Sequence, residues 1–256
     1  MRTLLPRVIP CLLLKGSGLV KTTQFKNEVY LGDPRNTVKI FNDKEVDELV
    51  LLDITATREK KPIQFELIHE IVSEAFMPVA YGGGIRDVTE AKRILALGVE
   101  KIVINTIAVE NPQFVSQAAE QFGSSSVVVC MDVKRSLLGK YEVHTHGGRN
   151  NTRLDPTQQA TLMAKLGAGE IIVNSIDRDG MMQGYDLELV KRVSSAVDVP
   201  VIACGGAGNV DHLAAAIKQG GASAVAAGSL FVFQGRHRAV LINFPDQPTL
   251  HKAFEK

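Results

Sequence analysis

The sequence predicts a (β/α)₈ TIM barrel built from two half-barrel repeats. Short apolar runs rich in β-branched residues alternate with stretches of helical period, which is typical of a parallel sheet covered by helices. Eight such runs occur in 256 residues, a usual length for a closed barrel. The two halves also repeat each other at an offset of about 120 residues.

The elements follow one another without an intervening linker, so we expect one domain over residues 1–256. Prolines at 78 and 200 mark where helices end and strands begin. The predicted strands are 8–14, 49–54, 78–81, 102–104, 127–133, 171–175, 201–204 and 224–227. The clearest predicted helices are 65–75, 89–97, 112–122, 157–166, 188–196 and 210–219. A hairpin-like insertion at 141–145 follows the fifth strand.

The internal repeat pairs the first strand with the fifth. Cys11, Leu13 and Lys15 match Cys130, Asp132 and Lys134 in the pattern Cys-x-(Leu or Asp)-x-Lys. The pattern Pro-Val followed by a glycine pair also recurs, at 78–84 and 200–206. A residue in one half therefore has a counterpart in the other, and the counterpart of the acid at 132 is a leucine.

The composition is that of an ordinary globular protein. A net charge of +1 gives no electrostatic signature for nucleic acid or an anionic membrane. The three cysteines at 11, 130 and 204 are predicted to be buried free thiols, which favours the cytoplasm. His144 and His146 in the insertion are expected to be solvent-exposed and have no third ligand nearby, so we predict no metal and no cofactor.

Glycine and hydroxyl residues follow several strands, where barrel enzymes carry their active sites. Glycine lets backbone N–H groups approach an anion, although it also serves tight turns alone. Their occurrence in both halves favours two phosphate sites on opposite sides of the barrel mouth. The predicted phosphate-binding residues are Gly83, Gly84, Asn105, Thr106, Asp179, Gly180, Gly205, Gly206, Gly228 and Ser229.

Asp132 lies near the end of an apolar strand, where a carboxylate needs a partner or a function. It is the candidate general acid or base, and we expect Lys134 beside it to modulate its pKa. A structural salt bridge with Lys134 or Lys21 is the alternative. Leu13 cannot transfer a proton. Further polar residues near strand ends, expected to organise loops or contact the substrate, are Lys15, Lys21, Asp53 and Asp177.

Four charged residues each precede an apolar strand at the opposite end of the barrel. They are Arg7, Glu48, Lys101 and Glu170. Two positive and two negative side chains could meet there as a ring, but the residue pattern alone favours a solvated bottom face.

Seven segments, long and in order, carry a resemblance to a known family: 9–12, 52–56, 82–85, 104–106, 175–180, 184–186 and 205–208. The resemblance is to the cyclase subunit of imidazole glycerol phosphate synthase (the HisF family) and covers nearly the whole length of the chain. It implies a barrel that pairs with a HisH-type glutaminase at its N-terminal face, takes ammonia through its centre and binds a substrate with a phosphate at each end. It also implies that the four bottom charges form the ammonia gate.

The departures from that family are informative. Asp132 matches one of the family's two catalytic aspartates, but Leu13 occupies the position of the other. The loop 16–18 and the run 235–243, where the family has its final amphipathic helix, also differ. These features resemble a paralogue group (WbuZ-type) linked to amidation of lipopolysaccharide sugars, whose members supply ammonia to a separate sugar amidotransferase.

Three functions therefore stay open. The leading hypothesis is an ammonia-conducting, HisF-type synthase subunit that serves amidation of a surface sugar. The second is a working cyclase in which Asp132 acts with another group, such as Asp53 or Asp177. The third is a non-catalytic barrel that binds a phosphorylated ligand and activates the glutaminase.

Overall fold

The computed structural model describes residues 5–255, so residues 1–4 and 256 of the predicted domain lie outside the described residues. Within this range, eight parallel strands alternate with helices. The barrel strands are β1 (Arg7–Lys15), β2 (Leu49–Asp53), β3 (Val79–Gly82), β4 (Lys101–Ile104), β5 (Val127–Arg135), β6 (Glu170–Ser175), β7 (Val201–Cys204) and β8 (Ala224–Ala227).

The strands pair in chain order, and β8 pairs with β1 to close the sheet. Every barrel pairing is parallel, including that of β5 with β6, in which Asp132 is opposite Asn174. The carboxyl ends of all eight strands therefore meet at one rim. The predicted (β/α)₈ barrel and its eight strands are confirmed.

Eight longer helices cover the outside of the barrel. They are α1 (Pro34–Asp43), α2 (Phe65–Ser73), α3 (Val88–Leu95), α4 (Gln113–Phe122), α5 (Pro156–Lys165), α6 (Leu187–Ser194), α7 (Val210–Lys218) and α8 (Gln247–Glu255). The six predicted helices correspond to α2 to α7. Helices α1 and α8 were not predicted, and the divergent run 235–243 precedes α8 instead of replacing it. No helix within residues 5–255 is long and apolar enough to cross a bilayer.

The additions to the barrel repeat between the halves. Strands β1 and β5 both continue into antiparallel extensions: Gly18–Thr23 pairs with β1 and Tyr141–Thr145 pairs with β5. Strands β4 and β8 both lead directly into a short helix, Thr106–Glu110 and Ser229–Val232. The same additions at corresponding strands are what two half-barrel repeats should produce.

Two apolar cores hold the fold together. The larger lies between the sheet and the surrounding helices, and includes Phe41 of α1 and Phe114 of α4. The smaller fills the inside of the barrel. Its side chains come from all eight strands: Ile9, Cys11, Val50, Ala80, Val103, Val128, Cys130, Ile172, Ile202, Ala224 and Ala226. The inside of the barrel is thus apolar between its two ends.

Candidate active site

A cavity of about 170 Å³ opens at the carboxyl ends of the strands. We call it the mouth cavity. It brings together most of the residues predicted to form the site: Leu13, Lys21, Asp53, Gly83, Gly84, Asn105, Thr106, Asp132, Asp179, Gly180, Gly205, Gly228 and Ser229. Lys15, Asp177 and Gly206 do not line it. Lys15 pairs with Glu28, which lies on the strand Lys26–Gly32 that pairs with Gly18–Thr23. Asp177 accepts a hydrogen bond from the backbone of Arg135 at 2.8 Å.

Asp132 is buried at the floor of the mouth cavity, between two asparagine amides. Asn105 Nδ2 donates to one carboxylate oxygen at 3.0 Å, and Asn174 Nδ2 donates to the other at 2.9 Å. Burial raises the pKa of Asp132 to about 7, and the hydrogen bond from Asn174 opposes that rise. A carboxyl group with a pKa near neutrality can both give and take a proton at physiological pH.

The expected role of Lys134 is wrong, because its side chain is exposed and burial dominates the pKa of Asp132. The alternative of a salt bridge to Lys21 is also wrong. Lys21 pairs with Asp179 at 2.8 Å, and Thr22 Oγ1 donates to the same carboxylate at 3.1 Å. Lys134 and Arg135 are the exposed last two residues of β5, beyond the buried part of the strand.

Asp53 organises the loop that follows β2. One of its carboxylate oxygens accepts hydrogen bonds from the backbone N–H of Thr55 at 2.8 Å and of Ala56 at 3.0 Å. The loop after β3 then packs closely against it, because a Cβ on Gly83 would lie 2.3 Å from the carbonyl oxygen of Asp53. With φ at +116°, Gly83 has a conformation and a position that no other residue could take without strain.

Buried polar atoms without a partner concentrate in the mouth cavity. Six such side-chain atoms occur in the described part of the chain, and four belong to residues that line the cavity: Arg58 Nε, Asn105 Oδ1, Asn174 Oδ1 and Ser229 Oγ. Buried polar atoms in native proteins are almost always satisfied, so these four atoms mark where the mouth cavity can form hydrogen bonds with a ligand. Asn105 and Ser229 were predicted, whereas Arg58 and Asn174 were missed.

The insertion after β5 covers one side of the mouth cavity. The backbone N–H of His146 donates to Thr106 Oγ1 at 3.1 Å. The prediction that both histidines are exposed is wrong: His146 is half-buried, and His144 is buried with its Nδ1 at 3.2 Å from the carbonyl oxygen of Gly148. His144 is opposite Asp132 in the strand pairing, and this pairing turns its side chain inward.

The four charged residues at the opposite end of the barrel form a closed ring, which we call the bottom ring. Arg7 contacts Glu48 at 2.5 Å and Glu170 at 2.6 Å. Lys101 contacts the same two carboxylates, at 2.9 Å and 3.2 Å. Opposite charges therefore alternate around the barrel axis, and the expectation of a solvated bottom face is wrong.

The three cysteines all line the mouth cavity. Cys11 and Cys130 are buried in the inner apolar core, and Cys204 packs against it. Burial raises the pKa of the Cys130 thiol well above its ordinary value. The Cys130 thiol is therefore protonated at neutral pH, and it continues the apolar lining up to the floor of the mouth cavity.

The raised pKa of Asp132 predicts a stability that depends on pH. The stabilisation that comes from its protonated form is complete below the unfolded pKa near 3.8 and is lost as pH rises through about 7. We expect the unfolding free energy of Asp132→Asn, minus that of the wild type, to increase by about 3 kcal/mol from pH 4.5 to pH 8. Urea unfolding of both proteins at the two pH values measures this, and a difference independent of pH would contradict it.

Comparison with known proteins agrees with this arrangement. The sequence profile of a family described as "Histidine biosynthesis protein" matches residues 7–237. A Leptospira borgpetersenii protein named "Putative imidazole glycerol phosphate synthase subunit HisF" is 50% identical over 242 residues, which is 94% of this chain and 95% of that protein.

Two further relatives extend the comparison. A Pseudomonas aeruginosa protein named "Putative imidazole glycerol phosphate synthase subunit hisF2" is 50% identical over 240 residues, covering 94% of this chain and 96% of its own length. An Alkaliphilus metalliredigens protein named "Imidazole glycerol phosphate synthase subunit HisF" is 46% identical over 225 residues, covering 88% and 89%. The chain therefore belongs to the histidine biosynthesis protein family, as a HisF-like barrel.

Proposed function

We propose that the chain is the ammonia-receiving synthase subunit of a glutamine amidotransferase complex. A HisH-type glutaminase docks at the N-terminal face, ammonia crosses the barrel, and a phosphorylated substrate is bound in the mouth cavity. The names of the relatives support this partner, since each is called a subunit of a synthase. We propose further that the complex serves amination or amidation of a surface-polysaccharide sugar, with a separate sugar amidotransferase as a third partner.

One observation carries the proposal: an apolar axis connects the bottom ring to Asp132. Neutral ammonia crosses an apolar passage far more easily than ammonium does, because a charge loses its hydration there. The bottom ring, closed by Lys101, separates that passage from the N-terminal face. Asp132 and the unpartnered polar atoms stand at its other end.

Leu13 is the reason for proposing a substrate outside histidine biosynthesis. Forming an imidazole ring from ammonia and a carbonyl compound requires protons to be both given and taken. Leu13 lines the mouth cavity with an apolar side chain and offers no proton. Removing one positioned acid or base typically costs about 10²–10⁴ in rate.

A working cyclase is the second candidate. It would convert ammonia and PRFAR, the family's substrate with a phosphate at each end, to imidazole glycerol phosphate and a second product, AICAR. The pKa of about 7 for Asp132 favours it, because one such group could serve as acid and base in turn. The name of the Alkaliphilus metalliredigens relative also supports this candidate.

Turnover of PRFAR with ammonium salts by the isolated chain tests the proposal. We expect a rate about 10²–10⁴ below that of a family member that carries both aspartates. In a second experiment, with glutamine and no added ammonium salt, the chain should bind a HisH-type glutaminase and stimulate its release of ammonia from glutamine. Comparable cyclase turnover would overturn the sugar proposal in favour of the cyclase, and no stimulation would overturn the ammonia-receiving role itself.

A further inference from the structure

Arg58 is a half-buried arginine that lines the mouth cavity, and the sequence pattern gives it no role. Its Nε is buried and has no hydrogen-bond partner. Arg58 forms no salt bridge with the adjacent Glu59, whose carboxylate pairs with Lys61 at 2.6 Å. An arginine stays charged at every physiological pH, so leaving one of its donors buried and unpaired costs free energy.

The side chain of Arg58 connects two loops at the rim. It starts from the short helix Ala56–Glu59 after β2 and reaches the insertion after β5, where a Cβ on Gly147 would lie 3.1 Å from its Cδ. On its own loop, Thr57 Oγ1 accepts a hydrogen bond from the backbone N–H of Gly84 at 3.2 Å. Arg58 is therefore held beside the glycine cluster that follows β3.

The charges around the cavity leave Arg58 as a cation without a counter-ion. Among the described residues that line the cavity, the cations are Lys21 and Arg58. Lys21 is neutralised by Asp179 at 2.8 Å. Asp53 accepts hydrogen bonds from the backbone of its own loop, and Asp132 accepts them from two side-chain amides. An anion entering the mouth cavity would therefore find one unpaired cation, on the side of β2 and β3.

We propose that Arg58 binds an anionic group of the substrate, either a phosphate or a carboxylate. A planar guanidinium can bind both groups through paired N–H donors. The inference rests on the proposed function, since it takes the mouth cavity to be the substrate site. It adds a specificity-determining residue that neither the glycine clusters nor the acid at 132 could identify.

Binding of two probes, inorganic phosphate and malonate, tests the assignment by calorimetry. We expect Arg58→Met to weaken binding of the recognised probe about tenfold or more, and Arg58→Lys to restore part of the loss. Arg192→Met is the matched control, because this substitution removes the same charge from α6, where Arg192 pairs with Glu188 and does not line the cavity. Weakening for phosphate alone identifies a phosphate group, and weakening for malonate alone identifies a carboxylate.

The stability of the variant separates binding from structural support. A structural arginine would destabilise the fold when removed, whereas Arg58→Met should unfold at the same or a higher urea concentration than the wild type. Lower stability of Arg58→Met, or wild-type binding of both probes by this variant, would overturn the inference alone. If the wild type bound neither probe, the inference would fall together with the phosphorylated substrate of the proposed function.

Discussion

Leu13→Asp is expected to raise ammonia-dependent turnover of PRFAR by about 10²–10⁴-fold over the wild type. Leu13 is half-buried at the end of β1 and lines the same cavity as Asp132. A carboxylate at this position would supply the second proton-transfer group, while Asp132 keeps its two amide contacts with Asn105 and Asn174. Steady-state turnover with saturating ammonium salts measures the gain directly.

Leu13→Asn is the matched control, because it has the size and polarity of the aspartate but cannot exchange a proton at neutral pH. It should leave turnover at the wild-type level. If Leu13→Asp folds and binds inorganic phosphate but gains no turnover, the missing acid is not what separates this chain from the cyclases. In that case the substrate preference must arise elsewhere in the mouth cavity.

The barrel could be predicted because its pattern is local. Each strand is an apolar run, and each of the six predicted helices has a regular apolar stripe. The internal repeat divides the eight strands into two sets of four. Helix α1 was missed although Asp33 caps its N-terminus and Pro34 begins it, since its buried apolar side chains, Val38 and Phe41, are few among polar neighbours. Helix α8 was missed for a similar reason: its apolar stripe is weak, and its packing against α7 stabilises it.

Residues of the candidate site could be predicted only where they lie at or directly after the carboxyl end of a barrel strand. Closure of a parallel barrel brings such residues to one rim, which is why Asp132, Asn105 and Ser229 meet. Asn174 could have been found, because an amide inside the apolar run of β6 requires a partner. Arg58 had no such signal, since its place in the cavity depends on the short helix Ala56–Glu59 and on contacts with the insertion after β5, which is distant in sequence.

Lys101→Met is expected to lower the unfolding free energy by about 3–5 kcal/mol. The side chain of Lys101 is buried and contacts both Glu48 and Glu170, so its loss leaves two carboxylates to share Arg7. The cost of a buried charge without a full counter-charge exceeds any gain from the apolar methionine. Urea unfolding measures this loss. In a complex with a glutaminase, glutamine-dependent amidation should fall while ammonia-dependent activity is retained.

A second substitution separates lost charge balance from lost packing. The double variant Lys101→Met/Glu48→Gln removes one charge of each sign, so it should recover most of the stability lost in the single variant. Arg86→Met is the exposed control: Arg86 pairs with Glu90 at the surface, and its loss should cost less than about 1 kcal/mol. If Lys101→Met leaves glutamine-dependent amidation unchanged, the bottom ring only supports the fold. A selective fall would instead mean that these four charges control the passage of ammonia from the glutaminase into the apolar axis.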